Sequence, residues 1–398
     1  MADPDHLRRQ LMVAAGLASL ASHAALAAPQ PLLIGLTAEF GVQGSHAAQS
    51  IEKGILLAMD EINAGGGLLG GRPLQLVSRD DRGVPARGVD NFRDFAERSE
   101  VLGVFCGRFS PVALEIAPLA AEKGLLLLDP WSAADDITKP PAQGASYTFR
   151  LSLTDSWAMA KMVDHAVSRG YRRLAVLLPN TAWGRSCEAA LLRHAARQPA
   201  LQSQTYWYNW GETDFADRLA QVRASRGDAL LTVTNEFEGL HMLRQMAAFP
   251  AAARLPIISH WGLLGGDFGT TAREYLDQLD FSVVYTFSFS DPQSPRARAV
   301  AAGMQRLFKM DVASLRAQVG FAHAYDLTHL LARAISKAGR ADRAAVRDAL
   351  EKLGPHEGLV AQYQRPFTAT RHEALWPEIV RLGRFDAAGN VRSVVVRR

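Results

Sequence analysis

The stretch Lys53-GILLAMDEINAGGGLLGGRPLQLVSRDD-Arg82 gives the strongest indication of the fold. Apolar residues at helical spacing predict an amphipathic helix ending at Asn63, and they are Ile55, Leu56, Met59 and Ile62. The glycines at 65–67 supply the positive-φ conformations that end a helix. The apolar run Leu74–Val77 then predicts a buried strand that stops at Asp80–Asp81.

Strand and helix patterns alternate along almost the whole chain around this unit. Helix starts are indicated where a capping residue precedes a proline or an acid, as in Ser110-Pro111 and Thr154-Asp155. Such alternation predicts an α/β fold, with parallel sheets covered by helices on both faces. The predicted strands are Leu32–Thr37, Leu74–Ser78, Val101–Cys106, Leu125–Asp129, Arg173–Leu178, Leu201–Tyr206, Ala229–Val233, Pro256–Ser259 and Phe281–Phe287.

The N-terminus has the pattern of a cleavable export signal. Arg8 and Arg9 form a charged region, Leu11–Leu20 is apolar, and Ala25–Ala27 is a small-x-small cleavage site. A membrane anchor is the alternative, but this alanine-rich run is interrupted by serines and is weakly apolar for a span of about 20 residues. The arginine pair fits a twin-arginine signal or an ordinary basic region. We predict a signal peptide over residues 1–27, cleavage near Ala27, and an exported soluble protein.

Composition narrows the remaining classes. The 398 residues suggest two domains, and a hydrophobic content of 48% is ample for two cores. A net charge of +4 from scattered basic residues disfavours nucleic-acid binding. Cys106 and Cys187 fall in separate predicted domains, so both are expected to be free. No Cys/His cluster has metal-ligand spacing, so the sequence predicts neither a metal nor a cofactor.

The order helix, Asn-x-Gly-Gly, Gly-Gly-Arg-Pro, strand, Asp-Asp resembles the type I periplasmic binding proteins. These are the leucine/isoleucine/valine-binding relatives that feed ABC transporters. The resemblance implies two Rossmann-like lobes with parallel sheets, joined by three hinge crossovers. It implies an N-lobe of residues 31–150 plus 288–356 and a C-lobe of residues 151–287 plus 357–398. The extended stretches Tyr147–Ser152 and Tyr285–Ser290 are expected to be connections between the lobes.

Ligands of open parallel sheets bind beyond the carboxyl ends of the strands, so the loops there hold the candidate residues. Ser110 lies at such a strand-to-helix turn, where free N–H groups favour an anion, although it could be a plain helix cap. The resemblance implies a carboxylate-binding role for Ser110 and a second ligand loop at Trp131 and Ser132. Trp131 could equally be core packing.

On the other lobe, the resemblance places Trp183 where an aromatic ring stacks on the ligand. Trp261 stands where leucine binders carry a glutamate that neutralises the ammonium. Because a buried ammonium needs a paired charge, this disfavours an α-amino acid ligand unless Glu236 or Glu238 substitutes, and it favours a flat or hydrophobic ligand. The candidate ligand-binding residues are Arg108, Ser110, Trp131, Ser132, Trp183, Asn235, Glu236, His260 and Trp261.

The resulting prediction is the periplasmic solute-binding component of an ABC transporter of the branched-chain amino-acid type. It would be a monomer that captures an amino acid, an amide or an aromatic or hydrophobic acid and delivers it to permease subunits. A ligand-sensing subunit for a membrane receptor or kinase is the alternative, and neighbouring genes would separate the two. An enzyme is disfavoured, because the chain has no Gly-x-Ser-x-Gly elbow, phosphate loop or HExxH motif.

Overall fold

A computed structural model describes residues 29–292 and 294–393. The predicted signal peptide, residues 1–27, lies outside these ranges. The strands are β1 (Leu32–Ala38), β2 (Leu74–Asp80), β3 (Val101–Cys106), β4 (Leu126–Asp129), β5 (Thr148–Arg150), β6 (Arg173–Pro179), β7 (Gln202–Tyr208), β8 (Ala229–Thr232), β9 (Ile257–Ser259), β10 (Phe281–Tyr285), β11 (His356–Glu357), β12 (Gln362–Tyr363), β13 (Arg381–Phe385) and β14 (Val391–Ser393). Within the described ranges, no helix is both long and apolar enough to cross a membrane.

The helices fall between these strands, as the alternation predicts. They are α1 (Ala47–Ala64), α2 (Pro85–Ala96), α3 (Ser110–Lys123), α4 (Asp155–Ser168), α5 (Ala182–Ala195), α6 (Ala216–Ala224), α7 (Glu236–Ala247), α8 (Phe268–Thr271), α9 (Arg273–Leu276), α10 (Pro295–Phe308), α11 (Gln318–Ala338) and α12 (Arg343–Leu350). Two long helices, α1 and α11, pack against each other, and so do α2 and α3.

Two sheets carry the fold. The first has the order β2-β1-β3-β4-β5, and all its pairings are parallel. The second has the order β14-β13-β10-β9-β8-β6-β7, in which the strands from β6 to β10 pair in parallel. The strands of the first sheet all precede residue 151, and those of the second all follow residue 172. The predicted α/β class with parallel sheets is therefore confirmed.

Every predicted strand is present, with ends that differ by up to two residues. Three features differ from the prediction, and one is the short antiparallel pair of β11 and β12, which was not predicted. Thr148–Arg150, within a stretch expected to be a connection, forms the edge strand β5 through parallel pairing with β4. The C-terminal strands β13 and β14 were not predicted, and they extend the second sheet by antiparallel pairing beside β10. The division of the chain into two lobes stays a prediction.

The helix and turn that decide the fold have one correction each. In α1, Leu57 is buried and Leu56 lies on the outer face, 36% exposed, so the buried stripe is rotated from the expected one. Gly66 and Gly67 have φ values of 101° and 68°, whereas Gly65 keeps a φ of −74°. The turn therefore needs glycine at two of the three positions.

Both cysteines are free and buried, as predicted. Cys106 ends β3 of the first sheet, and Cys187 lies in α5, which packs on the strands of the second. Their separation follows from the order of elements along the chain.

Candidate ligand-binding site

The loops at the carboxyl ends of strands from both sheets meet at an ion pair. Arg108, which follows β3, donates from Nη1 to Oε1 of Glu236 at 2.6 Å and from Nη2 to Oε2 at 2.7 Å. Glu236 begins α7, just beyond β8 of the second sheet. Nη1 also donates to the carbonyl of Gly262 at 3.3 Å. A bidentate, largely buried pair thus joins the two halves of the site.

A second carboxylate lies behind Arg108. Glu39 follows β1, is fully buried, and has Oε1 3.8 Å from Nε of Arg108 while Oε2 accepts from the Arg108 backbone N–H at 3.2 Å. Burial raises the pKa of Glu39 to about 7, although the Arg108 charge opposes that rise. One guanidinium therefore faces two carboxyl groups, of which Glu39 can be neutral near neutral pH.

The raised pKa of Glu39 predicts a specific pH dependence. Between its ordinary pKa of 4.5 and about 7, the folded protein binds more protons than the unfolded chain, so the free energy of unfolding falls as pH rises through this window. Glu39→Gln should match the parent near pH 4 and exceed it near pH 8 by an amount on the order of 3 kcal/mol. Denaturant unfolding at both pH values measures this difference. Burial also raises the pKa of Asp81 and of Asp129 to about 6, but both residues are present in the parent and the variant, so their contribution cancels. Equal stability at the higher pH would contradict the prediction.

The predicted residues Trp131, Trp183 and Trp261 lie beside this ion pair and line one small cavity. The rings of Trp131 and Trp261 lie 5.6 Å apart, and both side chains are fully buried. Trp183 is also buried, and its ring meets His260 edge-on at 5.3 Å. They leave an inner cavity of about 10 Å³, roughly the room for one water molecule. Six of the predicted residues line it: Arg108, Ser110, Trp131, Trp183, Asn235 and Trp261.

Ser110 faces this inner cavity but does not cap its helix. Helix α3 begins at Ser110 itself, with Phe109 in the capping position and no side-chain cap. The Ser110 hydroxyl instead accepts from the backbone N–H groups of Ala133 and Ala134 at 3.1 and 3.2 Å. A serine hydroxyl has two acceptor lone pairs and one proton. Its remaining capacity is therefore to donate, which suits a carboxylate or another acceptor oxygen.

Ser110→Ala is expected to weaken both stability and ligand binding. Two buried N–H groups would lose their acceptor, at about 1–3 kcal/mol each in unfolding free energy. A ligand acceptor would lose its donor, weakening affinity by about 1–3 kcal/mol. Ser110→Thr, which keeps the hydroxyl, is the matched control for denaturant unfolding and calorimetric titration. Unchanged affinity in Ser110→Ala would leave the hydroxyl with only its structural role.

Two predicted residues lie behind the cavity rather than on it. Ser132 donates from its hydroxyl to the carbonyl of Gly107 at 3.0 Å, and its backbone N–H donates to Asp129. His260 is fully buried beneath Trp183. Ser132 thus fixes the loop after β4, and His260 supports the aromatic wall.

A larger cavity of about 570 Å³ opens on the outer side of the Arg108–Glu236 pair. This size is typical of small-molecule sites. Trp210, which is not among the candidate residues from the sequence, lines both cavities, and its ring lies 5.2 Å from Phe109. Its buried Nε1 has no hydrogen-bond partner among residues 29–292 and 294–393. The other lining residues are Val42, Gln43, Gly44, Arg82, Gly83, Arg108, Phe109, Asn235, Glu236, Phe237, Glu238, Leu240, Asp267, Phe268 and Thr271.

Comparison with known proteins identifies the class. The family model described as "Periplasmic binding protein" matches residues 31–377, and the chain belongs to this family. The Leu/Ile/Val-binding protein BraC3 of Rhizobium johnstonii is 25% identical over 327 residues, which cover 80% of this chain and 81% of that protein. The family and this relative confirm the predicted resemblance and a solute-binding role.

Solved structures agree on the fold. A type 1 periplasmic binding protein of Bordetella pertussis superposes with a TM-score of 0.80 at 19% identity, covering 92% of this chain and all of the other. A solute-binding protein of an R. palustris ABC transporter, in complex with benzoate, superposes with a TM-score of 0.76 at 18% identity. That alignment covers 92% of this chain and 95% of the other. The fold is thus that of type I periplasmic binding proteins.

Proposed function

We propose that this protein captures a carboxylate with a flat or apolar body and delivers it to the permease subunits of an ABC importer. The observation that carries the proposal is the outer cavity, which combines aromatic walls with the unpartnered indole N–H of Trp210. The ring pair of Phe109 and Trp210 offers a face for a flat group. The indole N–H of Trp210, which lines both cavities, and the Ser110 hydroxyl, which faces the adjoining inner cavity, offer donors for an acceptor oxygen.

The acids of the site argue against a simple amino acid. Glu236 already accepts two hydrogen bonds from Arg108, so a ligand ammonium would have to compete with that guanidinium. Glu238 lines the outer cavity, and its Oε1 accepts from the Gly211 N–H at 2.8 Å. Trp261 packs against Trp131 and supplies no charge. Because Glu236 is already paired with Arg108, a neutral or anionic ligand fits this part of the site better than an ammonium does.

The finer parts of the function follow from this role. We propose that residues 1–27 are removed on export, that the mature protein works in the periplasm as a monomer, and that it binds without catalysis. The two sheets would form the two lobes predicted above, with Arg108 and Glu236 on opposite sides of the cleft. The periplasmic assignment is supported by the family to which the chain belongs.

Calorimetric titration of the mature protein tests the ligand class. We expect binding of benzoate-like carboxylates and weak or absent binding of leucine, isoleucine and valine. Trp210→Phe keeps a ring but removes the N–H, and it should lower carboxylate affinity by about 1–3 kcal/mol. Trp207→Phe is the matched control, because Trp207 does not line either cavity and packs under Arg185. Tight leucine binding by the parent protein would contradict the proposal.

A further inference from the structure

An aspartate, a cysteine and a histidine from three separate elements converge beneath Trp183. Asp155 begins α4, Cys187 lies in α5, and His260 follows β9. One ligand atom of each residue lies within 4.8 Å of the other two, and all three residues are buried. The three residues are far apart in the chain and match no metal-ligand spacing, which is why the sequence predicts no metal site.

The cluster contains polar atoms that lack partners. Nε2 of His260 lies 3.2 Å from Oδ1 of Asp155, but without hydrogen-bonding geometry. Neither ring nitrogen of His260 has a hydrogen-bond partner within the described part of the chain, whereas the Asp155 carboxyl interacts with the Cys187 thiol. The side chains of His260 and Asp155 are completely buried. Unsatisfied buried groups of this kind destabilise a fold, so their retention calls for a group that the protein chain does not supply.

These donors are those of a transition-metal site. Thiolate, imidazole and carboxylate together suit zinc and its neighbours, which bind such atoms at about 2.0–2.3 Å. Two atoms at these distances on a tetrahedral ion are separated by roughly 3.2–3.8 Å, and the His260–Asp155 separation of 3.2 Å falls in that range. We propose that Asp155, Cys187 and His260 bind a zinc-like divalent metal ion. Water or the second Asp155 oxygen would complete the coordination.

Binding would give one ring nitrogen of His260 a partner and would displace a proton from the thiol of Cys187. Burial, and then the adjacent Asp155 carboxylate, raise the pKa of Cys187, so the metal-free site holds a neutral thiol. The ion would tie α4, α5 and the loop after β9 together. It would also steady Trp183, whose Nε1 donates to Oδ1 of Asp155 at 3.2 Å. The site is therefore a support for the cleft wall and does not depend on the ligand proposed above.

The other cysteine supplies a matched control. Cys106 is likewise buried and lies beside a carboxyl group, Asp129, with which it shares a hydrogen bond. Among the described residues, however, only Cys187 lies in a group of three possible metal ligands, and Cys106 does not. Loss of metal binding with one cysteine and not the other would therefore locate the site.

The test is titration of the chelator-treated, full-length mature protein with Co²⁺, read by thiolate-to-cobalt charge-transfer absorption, followed by competition with Zn²⁺. We expect one ion per chain, loss of the band in Cys187→Ser, and full retention in Cys106→Ser. His260→Gln should weaken binding at least about tenfold, and it decides the matter if Cys187→Ser does not fold by circular dichroism. No charge-transfer band in the parent, or an unchanged band in folded Cys187→Ser or His260→Gln, would overturn the proposal.

Discussion

Replacing Arg108 with alanine is expected to lower the free energy of unfolding by about 3–5 kcal/mol, the usual loss when one partner of a buried ion pair is removed. The Arg108 side chain is 4% exposed and faces Glu236 and Glu39. Without it, two acidic groups would remain in a poorly solvated place. The substitution should also separate the loops after β3 and β8, which the pair now joins. Denaturant unfolding at neutral pH gives the magnitude.

A second arginine at the same cavity provides the control. Arg82 lines the outer cavity, but its side chain is 62% exposed and its Nε lies 3.6 Å from Oδ2 of Asp80. Arg82→Ala should therefore cost no more than about 1 kcal/mol. The double variant Arg108→Ala/Glu236→Ala should lose less than the sum of its single variants, because it removes the unpaired charge. Additive losses would show that the pair contributes little to the fold.

Trp261→Ala is expected to cost about 3–5 kcal/mol in unfolding free energy, the range for deleting a large buried aromatic side chain. Trp261 is 1% exposed and contacts Trp131 and His323, with ring centroids 5.6 and 5.8 Å away. The space left behind would enlarge the inner cavity at the centre of the site. Thermal and denaturant unfolding measure the loss, and crystals of the variant would show the cavity.

Trp376 is the matched control for that substitution. Its residue is 37% exposed, so less packing is lost when it is shortened than at Trp261. Trp376→Ala should change stability by about 1 kcal/mol, near the usual value for a point substitution. Equal, small losses of unfolding free energy in both tryptophan variants would show that Trp261 is loosely packed and that a ligand could displace it. The inner cavity would then be the better candidate for the ligand-binding site.

Local patterns in the sequence were sufficient for the elements of the fold. The apolar runs of β1, β3 and β6 are buried along almost their whole length, which is why their boundaries could be read from composition. The edge strand β5 and the C-terminal strands escaped prediction. Thr148–Arg150 is three residues long, and β14 has exposed residues at two of its three positions. Such short strands form because a neighbouring strand pairs with them, and this pairing leaves no periodic pattern in the sequence.

The position of the candidate site along the chain could be proposed from the sequence more readily than its chemistry. Strand ends of parallel sheets attract ligands whatever the side chains are, so Ser110, Trp183 and Asn235 could be placed there in advance. Trp210 could not, because it follows β7 as one of several aromatic residues with no distinguishing spacing. Its unpartnered N–H could have been found only from the positions of its neighbours.

The α/β fold, the family, the free cysteines and the loops that hold the candidate residues could be predicted from the amino-acid sequence, because each depends on residues near one another in the chain or on a shared motif. Only the tertiary structure shows that Arg108 forms an ion pair with Glu236 and that the Ser110 hydroxyl accepts hydrogen bonds from two backbone N–H groups. It also shows that Asp155, Cys187 and His260 lie close together. Hydrogen bonds and ion pairs act over a few ångströms. Which residues come that close is set by how distant segments pack, and a single sequence does not display those distances.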